Sequence, residues 1–226
     1  MTAMLAGRFI TAVVLSGVLA QAAAGQGGAI LTDVPEQARP GARYVIYLHA
    51  RILEEEPTQP IDERFGVYEY QQILDTLAAS GAEVIAERRP AGTDFRLFGA
   101  RVADQVQRLM ALGVPPEHIT VVGFSKGGAI AIISAALLAD PRIGFVFLGA
   151  CGEWLNGRED VDVGGRILSI YEATDELGTS CQPLFSRARA PGERREIVID
   201  TGAGHGAFFR PRSEWVAPVL AWLKRP

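Results

Sequence analysis

The residues with the clearest chemical potential stand together at Gly123-Phe124-Ser125-Lys126-Gly127. A serine centred in G-x-S-x-G, after a β-forming run and before an apolar helical run, marks a sharp strand-to-helix turn. Such a turn forces its central residue into a strained backbone conformation and crowds the neighbours, which glycines two positions to either side accommodate. The turn would hold Ser125 out at the top of a sheet. It would also set the Lys126 backbone N–H at a helix N-terminus, where a developing oxyanion is stabilised. The phosphate-binding pattern G-x-x-x-x-G-K-[ST] is absent from the chain.

A serine hydroxyl is a poor nucleophile without a base. The chain offers three histidines. His118 immediately precedes the strand that leads to the serine, at the wrong end of a sheet. His49 follows the first strand and is read as a brace for its loop. His205 follows the last strand in Thr201-Gly202-Ala203-Gly204-His205-Gly206, a glycine-rich loop able to bring its ring to the serine, and is the expected base. For the orienting acid, Asp175 in Tyr171-Glu172-Ala173-Thr174-Asp175-Glu176 gives the chain order Ser125, Asp175, His205. Glu176, Asp160, Asp162 and Asp200 are its competitors. A second oxyanion donor is expected from the backbone N–H of Ala50 or Arg51, after the first strand. The Lys126 side chain and the run Glu54-Glu55-Glu56 read as solvated charge.

The elements that must position these groups are legible as alternating patterns. Compact apolar runs at 44–48, 84–86, 119–122, 145–148, 167–170 and 197–199 read as strands, and helical spacing marks 70–78, 98–110, 129–138 and 216–223. Runs apolar on both faces and separated by helices imply a parallel sheet covered on both sides. The expectation is a three-layer α/β domain with about six mostly parallel strands. Active groups in such sheets lie beyond the C-terminal strand ends, which is where Ser125, Asp175 and His205 all fall.

With the serine turn, the loop histidine, the first-strand loop and the order of elements in hand, the chain resembles the α/β-hydrolase superfamily from about Tyr44 to its C-terminus. The resemblance implies an α/β-hydrolase fold with a minimal core over 43–226. It also implies a serine that forms an acyl-enzyme cleaved by water, with neither metal nor organic cofactor. The expected activity is that of a carboxylic-ester hydrolase. Amide, peptide or thioester hydrolysis with the same triad, or a hydrolase-like binding protein with an idle site, are the other readings. The sequence departs from the pattern in three respects. It lacks the first two strands of the full fold and any insertion long enough for a large lid. It also has Leu48-His49-Ala50-Arg51 where many relatives place glycines after the histidine.

The bulk properties agree with an enzyme of small molecules. The chain has 226 residues, 48% hydrophobic and 21% charged, enough for one domain with a full core. A net charge of -4 with no long Lys/Arg run gives no electrostatic attraction to nucleic acid or an anionic membrane. The expected partner is a small-molecule acyl substrate. Residues 1–24 read as a signal peptide: Arg8, an apolar run over 9–20, then Ala20, Ala22 and Ala24, with cleavage expected after Ala22 or Ala24. Residues 25–42 form a polar lead-in. Export to the periplasm or exterior would leave no stable membrane association. It would also place Cys151 and Cys181 where a pair tends to be joined, worth about 2–4 kcal/mol.

Overall fold

A computed structural model describes residues 27–56, 58 and 60–225; the expected signal peptide over 1–24 lies outside them. Seven strands form one sheet: β1 (Ile30–Leu31), β2 (Tyr44–Leu48), β3 (Glu83–Ile85), β4 (Ile119–Phe124), β5 (Gly144–Leu148), β6 (Arg166–Glu172) and β7 (Arg194–Ile199). Their order is β1-β3-β2-β4-β5-β6-β7, and every pairing within it is parallel. The helices are α1 (Ile52–Glu55), α2 (Tyr70–Ala78), α3 (Phe95–Ala111), α4 (Lys126–Leu138), α5 (Gln182–Arg187) and α6 (Ser213–Leu223).

The strand sequences explain the three layers. Alternate side chains of a strand point to opposite faces. Tyr44, Ile46 and Leu48 of β2 enter one buried cluster, shared with Val102, Val106 and Leu109 of α3 and Ile130 of α4. Val45 and Tyr47 enter the other, shared with Ile73 and Leu77 of α2 and Val219 of α6. Both faces are covered, so β2, β4 and β5 are buried along their whole length. No helix among the described residues is long and apolar enough to cross a membrane.

The expected six strands become seven because Ile30–Leu31 in the lead-in adds to the edge beside β3. Its two residues are too short to carry a periodic pattern. The third helix begins at Phe95 rather than Phe98, because Asp94 caps it: one carboxylate oxygen accepts from Arg96 N at 2.8 Å and Leu97 N at 2.9 Å. A short antiparallel ribbon (Ile61–Asp62 with Gly66–Val67) and the short helices α1 and α5 are additions to the expected scheme.

The register fixes a common rim. Leu48 pairs with Gly123, Phe124 with Leu148, and Glu172 with Ile199. The loops that follow β2, β4, β5, β6 and β7 therefore emerge side by side.

Candidate active site

Ser125 sits between β4 and α4 with φ 54° and ψ -119°, a conformation that side-chain-bearing residues rarely adopt. Close packing enforces it. A Cβ on Gly123 would lie 2.2 Å from the Gly127 carbonyl oxygen, and one on Gly127 would lie 2.0 Å from the Leu48 carbonyl oxygen. The two glycines thus let the turn close on itself and on β2, as the motif implies. Ser125 N donates to Leu148 O at 3.0 Å, which ties the turn to β5. Lys126 opens α4, so its backbone N–H is one of the unpaired donors of a helix start.

His205 lies in the loop after β7 and Asp175 in the loop after β6. Both are buried, and His205 Nδ1 donates to Asp175 Oδ2 at 2.7 Å. A carboxylate only accepts, so Nδ1 carries the proton of this bond and Nε2 is the ring nitrogen turned away from Asp175. Nε2 is buried and makes no hydrogen bond, to Ser125 Oγ or to any other group. Asp175 Oδ1 accepts from Leu177 N at 2.8 Å, which fixes the carboxylate plane. The His205 ring rests on Phe124, with centroids 4.8 Å apart. Gly149, after β5, has φ 48°, and a Cβ there would stand 3.2 Å from Asp175 Oδ2 and 3.3 Å from His205 Nδ1. Only a hydrogen at that position leaves the pair undisturbed.

Ser125 and His205 line one cavity of about 690 Å³, together with Ala50, Arg51 and Lys126. The site thus gathers Ser125, His205 and Asp175 at one rim. The competing acids lie elsewhere: Glu176 pairs with Arg64 at the surface, Asp160 with Arg96, Asp162 accepts from Arg189 N and Ala190 N, and Asp200 is exposed. His118 faces Pro40 O at 3.2 Å, at the opposite end of the sheet.

Two expectations about charge are corrected. Glu54 is not part of a solvated run; its side chain is 1% exposed. Lys126 does not trail into solvent; its Nζ donates to Glu54 Oε2 at 2.5 Å. The same carboxylate accepts from Arg89 Nε at 2.9 Å. Arg89 Nη2 donates to His49 O, and Arg89 N donates to His49 Nε2 at 2.9 Å. His49 Nδ1 in turn donates to Ala50 O at 2.8 Å. Burial, with the Arg89 guanidinium beside it, pushes the His49 imidazole down to about 3, so it is neutral and its tautomer is fixed. The loop that lacks the usual glycines is thereby held by an arginine, a glutamate and a histidine. Arg89 lies some forty positions from His49, with no local pattern announcing it.

The cavity walls combine half-buried rings with carboxylates. Phe95 and Trp154 meet edge to face at 5.4 Å, and Trp154 Nε1 donates to Ala150 O at 2.8 Å. Phe65 lies opposite, beside His205. Glu55, Asp62 and Asp94 also line the space. Cys151 and Cys181 are joined, with Cα atoms 5.3 Å apart, tying the loop after β5 to the start of α5. Among the described residues no cluster of His, Cys, Asp and Glu is arranged to hold a metal ion.

The backbone superposes on solved structures over most of the chain. The structure of a protein described as a predicted CIB-like hydrolase from Thermoplasma acidophilum superposes with TM-score 0.57 at 15% identity, covering 82% of this chain and 88% of that one. The chain has the α/β-hydrolase fold. The same fold relates it to Arabidopsis thaliana SOBER1, with TM-score 0.54 and 17% identity over 82% of this chain and 99% of that one. Esterase PE8 gives TM-score 0.54 and 16% identity over 86% and 98%. No family model and no curated protein matches the sequence. Within the α/β-hydrolase fold, Ser125, Asp175 and His205 occupy the loops after β4, β6 and β7 at the C-terminal rim.

Proposed function

We propose that the protein is a serine hydrolase acting on neutral carboxylic esters through Ser125, His205 and Asp175, after export from the cytoplasm. One observation carries the reading: a serine in a strained turn shares a cavity with a histidine whose far nitrogen is bonded to a buried aspartate. In this reading His205 Nε2 takes the Ser125 proton as Oγ attacks the ester carbonyl. Asp175 holds the ring and stabilises the imidazolium. The oxyanion is met by the Lys126 N–H and by Arg51 or Ala50, each donor being worth about 3 kcal/mol. The alcohol leaves with the proton from His205, and water then cleaves the acyl-enzyme by the same steps in reverse order.

The cavity supports a neutral substrate. Asp62 and Asp94 line it and, among the described residues, form no salt bridge, while Lys126 is engaged by Glu54 and Arg51 by Glu55. An anionic acid would meet repulsion there. The esterase and hydrolase names of the structural neighbours agree with this reading. Export is supported by the leader-like residues 1–24 and the Cys151–Cys181 bond.

The test is a fluorophosphonate probe and a panel of p-nitrophenyl esters, thioesters and anilides. Wild type labels on Ser125 and turns over short-chain esters fastest; Ser125→Ala does neither. A wild type that takes no label and cleaves no activated acyl compound refutes the assignment, and a panel led by thioesters or anilides replaces the bond class.

A further inference from the structure

We propose that Glu172, outside the triad, is a positioning residue that holds the acid loop and the base loop in register; the proposal rests on the hydrolase reading above. Glu172 is the last residue of β6 and is fully buried. Its two oxygens serve two different loops. Oε2 accepts from Thr174 N at 2.6 Å and Thr174 Oγ1 at 2.7 Å, immediately before Asp175. Oε1 accepts from Thr201 N at 2.8 Å, Gly202 N at 2.9 Å and Thr201 Oγ1 at 3.2 Å, just before His205.

The placement explains why a carboxylate stands there. The sheet ladder between the two loops ends with Ala173 N donating to Ile199 O at 2.8 Å. Beyond that bond the chains diverge, and the Glu172 side chain continues the link the backbone has stopped providing. All its partners are neutral donors, and among the described residues no cation pairs with it. Burial alone would favour the neutral acid, but the donors outweigh it and hold the carboxyl down at about 2. A carboxylate accepts at both of its oxygens, so one ionised group serves the two loops at once. The 2.7 Å bond between His205 and Asp175 is then a consequence of two loops fastened to one group.

The experiment uses Glu172→Gln, which keeps the shape but turns an amide –NH₂ toward the N–H donors of one loop. Four quantities are read: kcat and KM for a p-nitrophenyl ester, the active-site concentration by fluorophosphonate titration, and the downfield proton resonance of His205 Nδ1–H, assigned by its loss in Asp175→Asn. Misplacement by about 1 Å costs about a hundredfold in rate. The expected result is kcat per titrated site down tenfold to a hundredfold, KM within twofold, and the resonance shifted or lost. A merely structural role would lower the titrated fraction and leave kcat per site and the resonance intact, which overturns the proposal. If Glu172→Gln does not fold, Thr174→Val and Thr201→Val each remove one hydroxyl arm. Each is expected to lower kcat per site threefold to tenfold, and unchanged rates in both overturn the proposal. If wild type neither labels nor turns over, the hydrolase reading has failed instead, and the resonance in Glu172→Gln still decides whether the clasp positions His205.

Discussion

Removing Glu54 should damage the protein far more than removing Lys126, although the two are partners. The Glu54 carboxylate joins Lys126, whose side chain is 19% exposed, to Arg89, whose side chain is 0% exposed. Glu54→Gln leaves the Arg89 guanidinium buried without its counter-charge. Breaking a buried pair from one side costs about 3–5 kcal/mol, because desolvation of the surviving ion is no longer offset. Lys126→Met keeps the aliphatic stem packed and leaves Arg89 and Glu54 bonded at 2.9 Å, so its cost is about 1 kcal/mol. For a chain of this size each kcal/mol moves the melting midpoint by about 2–4 °C. The expected order is a drop of about 10 °C for Glu54→Gln against about 3 °C for Lys126→Met, read by urea and thermal unfolding. Equal losses, or a loss under about 1 kcal/mol for Glu54→Gln, would refute the view that Arg89 depends on this carboxylate.

Three further outcomes follow from the geometry. Asp175→Asn leaves the His205 loop in place but removes the carboxylate that fixes the Nδ1–H tautomer, so kcat should fall about 10⁴-fold with the fold retained; steady-state kinetics beside a circular dichroism spectrum will show it. Gly149→Ala sets a methyl 3.2 Å from Asp175 Oδ2 in a backbone conformation suited to glycine; activity should drop at least tenfold with a destabilisation of about 1–2 kcal/mol, and full activity would show that the pair shifts freely. Reduction of Cys151–Cys181 opens a loop of 30 residues and should cost about 3.5 kcal/mol, visible as a lower urea midpoint in reducing buffer that Cys151→Ser reproduces.

The sequence revealed what local pattern encodes. Runs such as 44–48 and 145–148 are apolar on both faces, and the elbow glycines flank Ser125 at fixed offsets, so the sheet, the serine turn and the loop positions of Asp175 and His205 were readable. Hidden were groups whose meaning arises only after folding. Glu54 stood in an acidic triplet of ordinary surface appearance, yet α1 turns that one member inward to meet Arg89 from another loop. Glu172 lies three positions from Asp175 and gives no local signal, because a carboxylate taking backbone donors from two loops has no spacing signature. Gly149 needed knowledge of what would strike its missing side chain. Ile30–Leu31 leaves no trace in the pattern because two residues cannot show a period.

The backbone at Ser125 sets activity against robustness within a single residue. A non-glycine residue held at φ 54° and ψ -119° carries an unfavourable energy of about 1–3 kcal/mol, which the packed neighbours must counter continuously. Glycine would relax there, giving a sturdier molecule without the hydroxyl that the proposed reaction needs. The folded state is therefore less durable than its own framework permits, and the shortfall is the cost of holding one hydroxyl at the cavity wall.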